Sequence, residues 1–293
     1  MGRTLAAYFI AVFTLVTVGI PAAATAQLPP YTAPRTQDGK PDLGGVWSNA
    51  TADVSLIQTI DGELQISAFD DPLDTKLPLR DPASALAWRQ KYANYMSGKS
   101  QPDFTLGVDT LPNRDRCLMA ANAAAPPMTS QGYNDAYEIV QTPFHVVIAV
   151  EMMNETRIVP VFANESEAAR AHRPPALQRW TGDSVGWWEG ETFFVETENV
   201  DSRQGGQSPM PTSKDAKVVE RFTRVSDGEL LYQAEVTDPA LYTRPWGIEY
   251  RFHPTRRIWE YACHEGNYGL AGILSGVRKV ERDMARAGIV GKP

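Results

Sequence analysis

Residues 218–237 read VVERFTRVSDGELLYQAEVT. Two runs rich in β-branched and aromatic residues, Val218 to Val225 and Glu229 to Thr237, flank Ser226-Asp227-Gly228. Asp-Gly between such runs is a strong hairpin turn signal. Successive strand side chains alternate, so Leu230, Tyr232, Ala234 and Val236 share one face, opposite Leu231, Gln233 and Glu235. That apolar face must be buried in a packed core or line a ligand cavity.

The pattern repeats outward from this hairpin. Upstream, Tyr137 to Gln141, His145 to Met152 and Thr156 to Phe162 read as strands joined by turns at Thr142-Pro143 and Asn154-Glu155. A polar excursion over 163–177 separates them from a hairpin that enters through 180–188, turns at Glu189-Gly190-Glu191 and returns as Thr192 to Thr197. Downstream, Tyr242 to His253 and Ile258 to His264 are expected to pair last, with Trp246, Ile248, Tyr250 and Phe252 on one face. Trp47 anchors a first strand, and 54–66 reads as a hairpin around Asp61-Gly62. A helix is expected over 81–97, with Asp81 as N-cap and Pro82 at the first helical position, and another from Leu270 to Ala285. Short strands with local turns predict a mainly β chain. It is an antiparallel meander closing as a lipocalin-like (calycin-like) barrel, with an accessory helix near 82–97 and a C-terminal helix. The absence of a fixed-period repeat argues against a propeller.

The start of the chain reads as an export signal. Arg3 precedes an uncharged apolar run from Leu5 to Ile20, and Ala24-Thr25-Ala26 fits signal-peptidase cleavage after Ala26. A periplasmic or secreted protein is expected, with no membrane span after cleavage; the alternative is an uncleaved anchor. The expected layout is a signal peptide over 1–26, an extended lead-in over 27–45, and one barrel domain over 46–293 with a helical and loop insertion at 81–130. A formal charge of −7 gives no basic footprint for nucleic acid. Oligomeric state is not legible. Cys117 and Cys263 are the only cysteines, most simply one disulfide in an oxidising compartment; the alternative is a reactive thiol at Cys263.

The densest chemistry lies in residues 260–269, EYACHEGNYG. His264 is the first candidate as acid or base, since imidazole titrates near neutrality. Glu260, Glu265 and Tyr261 are candidates to assist it. On a strand, Glu260 and His264 share a face about 13 Å apart, too far for a direct pair. Arg244, Trp246, Tyr250, His145, Glu151 and Asn267 are candidate substrate-binding residues. His145, Glu151 and His264 could compose a two-His-one-carboxylate set, but their spacing is not diagnostic and no metal or cofactor is expected. No nucleophile elbow or phosphate loop occurs.

Together, PRTQDGKPDLGGVW (34–47), YEIVQTP (137–143), RIVP (157–160), RWTGDSVGWWEGETFFVET (179–197), VVERFTR (218–224), DPALYTRPW (238–246) and EYACHEGNYG resemble a large family of secreted bacterial β-rich proteins. That resemblance implies a signal peptide followed by a β-rich domain, and no activity. Two departures stand out. Asn154 stands where a His often follows Glu-Met, and 162–176, FANESEAARAHRPPA, replaces the usual loop. A catalytic role for that His in relatives would mean a changed or lost reaction here. Gly45-Val46-Trp47 also resembles the G-x-W signature of lipocalins. The expected function is binding of a small aromatic or cyclic ligand, with cofactor-independent isomerase or lyase chemistry through His264. The alternatives are a non-catalytic carrier and an envelope structural or interaction protein.

Overall fold

Closure of the meander rests on the pairing of its short first strand with its last. The computed structural model describes residues 31–50, 55–57, 77–81, 83, 111–120, 122–129, 133–201, 203 and 210–289. Ten strands occur among them: β1 (Gly45–Ser48), β2 (Ser55–Ile57), β3 (Ala136–Gln141), β4 (His145–Val150), β5 (Thr156–Phe162), β6 (Asp183–Glu189), β7 (Thr192–Glu198), β8 (Lys217–Ser226), β9 (Glu229–Thr237) and β10 (Trp246–Pro254). Nine form a closed ring in the order β1-β3-β4-β5-β6-β7-β8-β9-β10 and back to β1, where Trp47 pairs with Pro254 and Ser48 with His253. Strand β2 adds to the other half of β10. Closure removes the unpaired edges that an open sheet would expose.

All the ring pairings are antiparallel except that of β5 with β6, which run parallel and pair only through Val161↔Gly186 and Phe162↔Trp187. A parallel step needs a long crossover. The excursion after Phe162 supplies it and contains a short helix, α1 (Glu165–Arg170), capped by Asn164. The polar excursion over 163–177 thus contains a helix that its composition does not announce.

Alternation places the core as expected. Trp246, Ile248, Tyr250 and Phe252 of β10 are all buried, as are Leu230, Tyr232, Ala234 and Val236 of β9. Tyr232 pairs with both Phe222 and Tyr250 across the sheet, and its ring lies 5.2 Å and 5.4 Å from theirs. Residues 122–129 are also buried and reach this interior. The Met128 N–H donates to Tyr232 Oη at 2.8 Å, and Tyr250 Oη donates to the Met128 carbonyl. The chain's own Ala-Pro-Met segment therefore fills part of the barrel.

Residues 258–264 are not a strand. The ring is already closed through β1, so no free edge of β10 remains for them. They run along the outside, where the Asn154 side chain donates to the Tyr261 carbonyl at 2.9 Å and accepts from its N–H at 3.2 Å. Cys117 and Cys263 form the disulfide, closing a separation of 146 residues. Asn267 then caps a C-terminal helix, α2 (Tyr268–Arg286), by accepting from the Leu270 N–H, and this helix buries no residue. The hairpin turn at Asp61-Gly62, most of the helix at 81–97 and the segment up to Ala26 lie outside the described residues. No described helix is long and apolar enough to cross a membrane.

Candidate ligand site

The residues singled out in EYACHEGNYG lie on the outer surface. His264, Glu260 and Glu265 are exposed, and Tyr261 is half-buried. The imidazole and the two carboxylates make no hydrogen bond to a described side chain. Glu260, Tyr261 and Asn267 do border an open cavity of about 510 Å³ with Arg114 and Asn134. Asn267 is otherwise occupied with architecture: its Nδ2 donates to the Asp115 carbonyl at 2.8 Å, beside the disulfide. Arg244 is exposed, whereas Trp246 and Tyr250 sit in the core. His145 is exposed at the start of β4, and Glu151 is buried beyond its other end, where it accepts from Asn134 Nδ2 at 2.6 Å. The structure does not gather these residues into one constellation. The separation derived for Glu260 and His264 on a strand no longer applies, because that strand does not form.

A different polar centre lies inside the barrel wall. Arg157 of β5 and Glu220 of β8 form an ion pair with side chains 1% and 0% exposed. The pair is bidentate, with Nη1 donating to Oε1 at 2.9 Å and Nη2 to Oε2 at 2.5 Å. Tyr232 Oη donates to Glu220 Oε1 at 2.9 Å. Arg157 Nη2 also reaches Ser184 Oγ at 3.1 Å and Thr197 Oγ1 at 3.2 Å, and those hydroxyls share a hydrogen bond of 2.9 Å. Burial opposes the arginine's charge, but Glu220 outweighs it and raises the Arg157 pKa. One donor is left over: the buried Arg157 Nε–H has no acceptor among the described residues. An unpaired buried donor costs about 1–3 kcal/mol, so such a group marks a place where something else binds or strain is held.

The edge of this centre, at half-buried Ser184, adjoins a cleft where β5 and β6 part. Below their two paired positions the strands diverge, leaving a cleft of about 270 Å³ lined by Arg157, Ile158, Arg173, Arg179, Ser184 and Val185, among others. Arg179 is held through its backbone, donating to the Asn199 carbonyl and accepting from Asp201 N–H. Gly182 at the cleft has φ +78°, and an added Cβ would come within 2.5 Å of Thr197 and 2.8 Å of the Glu198 carbonyl. Only glycine lets the chain press this closely onto β7.

On the outer face of the same strands lies a second cluster. His172 Nδ1 is 3.1 Å from Asp183 Oδ2, and Nε2 is 3.4 Å from Glu196 Oε1. Lys217 Nζ contacts Glu196 Oε2 at 2.5 Å. Asp183 also accepts from the Arg173 N–H at 2.8 Å, which fixes the turn after α1. Burial pushes the His172 imidazole down, but Glu196 and Asp183, with Glu198 beyond, outweigh it and raise its pKa; His172 and Lys217 together lower that of Glu196.

The sequence reading missed Arg157, Glu220 and His172. A signal existed for Glu220, which lies two residues from each of Val218 and Phe222 and so shares their core face. An inward carboxylate demands a buried cation, and Arg157 is the one that answers it. No local pattern marks His172. Comparison of the chain with protein-family models, with curated proteins and with solved structures finds no match.

Proposed function

We propose that this protein is a secreted or periplasmic small-molecule carrier of lipocalin-like type. Its ligand would be compact and apolar in body, aromatic or cyclic, and would bear a carboxylate or similar oxyanion. The observation that carries this reading is the cleft between β5 and β6, where buried Arg157 keeps an unpaired Nε–H and Arg179 adds a guanidinium with no ion pair to a described residue. Guanidinium groups suit carboxylates because their planar donors match the two oxygens. Ile158, which is exposed, offers apolar surface for the rest of the ligand. The disulfide favours an oxidising compartment, in keeping with the resemblance to secreted bacterial β-rich proteins. Acid–base turnover by His264 as an isomerase or lyase draws no support from its exposed, unpartnered ring.

Isothermal titration of the disulfide-bonded protein with aromatic and alicyclic carboxylates, each beside its methyl ester, tests the reading. The acids are expected to bind at least about tenfold more tightly than the esters. Arg179→Ala should weaken the acids about fivefold, the effect of one exposed charge, and leave the esters unchanged. Equal binding of acid and ester, or an Arg179→Ala protein that binds acids like the parent, would sink it.

A further inference from the structure

The outer cluster has the makings of a metal centre. His172, Glu196 and Glu198 each offer a ligand atom, and these atoms lie within 4.8 Å of one another. Carboxylates alone would mean little, since acidic groups often cluster without an ion. The imidazole supplies the second observation. Its side chain is 8% exposed, and its Nε2 faces Glu196 yet has no hydrogen-bond partner among the described residues. At 3.4 Å it is close enough for attraction but poorly directed for a hydrogen bond.

The other ring nitrogen explains why Nε2 is left available. Asp183 Oδ2 lies 3.1 Å from Nδ1. A carboxylate on one imidazole nitrogen is the usual support for a histidine that binds metal through the other, because it fixes tautomer and ring orientation. Asp183 is itself held by the Arg173 N–H, and Asn199 Nδ2 donates to the Arg173 carbonyl at 3.1 Å. The imidazole is thus placed by two strands and the turn after α1 before any ion arrives. Glu196 and Glu198 alternate with inward-facing Thr197 on β7, so both carboxylates project from the same outer face. Lys217, with its side chain 43% exposed, currently neutralises Glu196 and can swing into solvent.

We infer that His172, Glu196 and Glu198 form a binding site for a divalent transition ion such as Zn²⁺, with Asp183 positioning the histidine. One nitrogen and two carboxylate oxygens suit Zn²⁺, with solvent completing the shell. On binding, the ion replaces the Lys217 ammonium as the counter-charge of Glu196. Asp183 and Arg173 also border the cleft between β5 and β6, but the three ligand residues do not line it, so His172→Ala and Arg179→Ala test the two sites separately.

The test is Zn²⁺ titration of chelator-treated, disulfide-bonded protein, with Co²⁺ absorption as a second readout of the coordination shell. The chain has four histidines, so a variant lacking His145, His253 and His264 serves as background. One Zn²⁺ per chain is expected, retained in that background and lost in His172→Ala. Asp183→Asn should weaken binding about tenfold, as removal of an outer-shell partner does. Lys217→Met should tighten binding several-fold, an outcome that general unfolding cannot imitate. The inference is overturned by no saturable uptake in the parent protein, by uptake that survives His172→Ala, or by a Lys217→Met protein with unchanged or weaker affinity.

Discussion

Replacing Glu220 with Leu isolates the charge at the centre of the barrel. The substitution leaves the Arg157 guanidinium, 1% exposed, without its bidentate partner. Removing one member of a buried ion pair costs about 3–5 kcal/mol, because the other charge stays buried and uncompensated. Tyr232 Oη loses its acceptor as well, adding on the order of 1 kcal/mol. In a domain of this size the sum lowers Tm by roughly 8–24 °C, at about 2–4 °C per kcal/mol. The double variant Arg157→Met/Glu220→Leu should recover most of the loss, since an apolar pair of similar volume is often neutral or stabilising. Ser184 and Thr197 can still bond to each other there. Urea unfolding of the oxidised proteins, followed by tryptophan fluorescence and circular dichroism, measures all the variants in one cycle. The reasoning fails if Glu220→Leu costs less than about 1 kcal/mol, which would mean a solvated pair. It fails equally if the double variant is as unstable as the sum of the singles, because the loss would then be one of packing. A folded double variant that binds aromatic carboxylates undiminished would remove Arg157 from the proposed function.

Two further outcomes follow from the same structure. The disulfide closes a separation of 146 residues, which in the chain-entropy model corresponds to about 5 kcal/mol; Cys117→Ala/Cys263→Ala should therefore lose several kcal/mol by urea unfolding, and a loss below about 1 kcal/mol would contradict that account. Burial pushes the Glu155 carboxyl from 4.5 up to about 8, and its Oε2 has no hydrogen-bond partner among the described residues. The raised folded value means that this carboxyl's contribution to stability is full below about pH 4.5 and is lost as pH rises towards 8, by about 1.4 kcal/mol for each pKa unit. Glu155→Gln should flatten this fall, so its unfolding free energy should gain on the parent's by a few kcal/mol between pH 5 and 8; parallel curves would refute the burial argument.

Several parts of the architecture were legible because they depend on neighbouring residues. Asp227-Gly228 between two alternating runs specifies a hairpin wherever it occurs, and the faces of β9 and β10 follow from side-chain geometry alone. Residues 258–264 misled for the same reason. Their composition suits a strand, but a strand also needs a free edge, and only the assembled ring shows that β1 has taken it.

The sequence by itself determined the mainly β class, most of the strands and their turns, and which of their side chains point inward, since alternation and turn chemistry are local. Tertiary structure alone decided that β5 and β6 run parallel and then part, and that residues 122–129 fill part of the barrel. It alone set Arg157 opposite Glu220, 63 residues away, and His172 opposite Glu196, 24 residues away. Those pairings depend on strand order and on the path of the crossover. A buried charge announces that it needs a partner, but its position in the sequence does not say which distant strand will bring one.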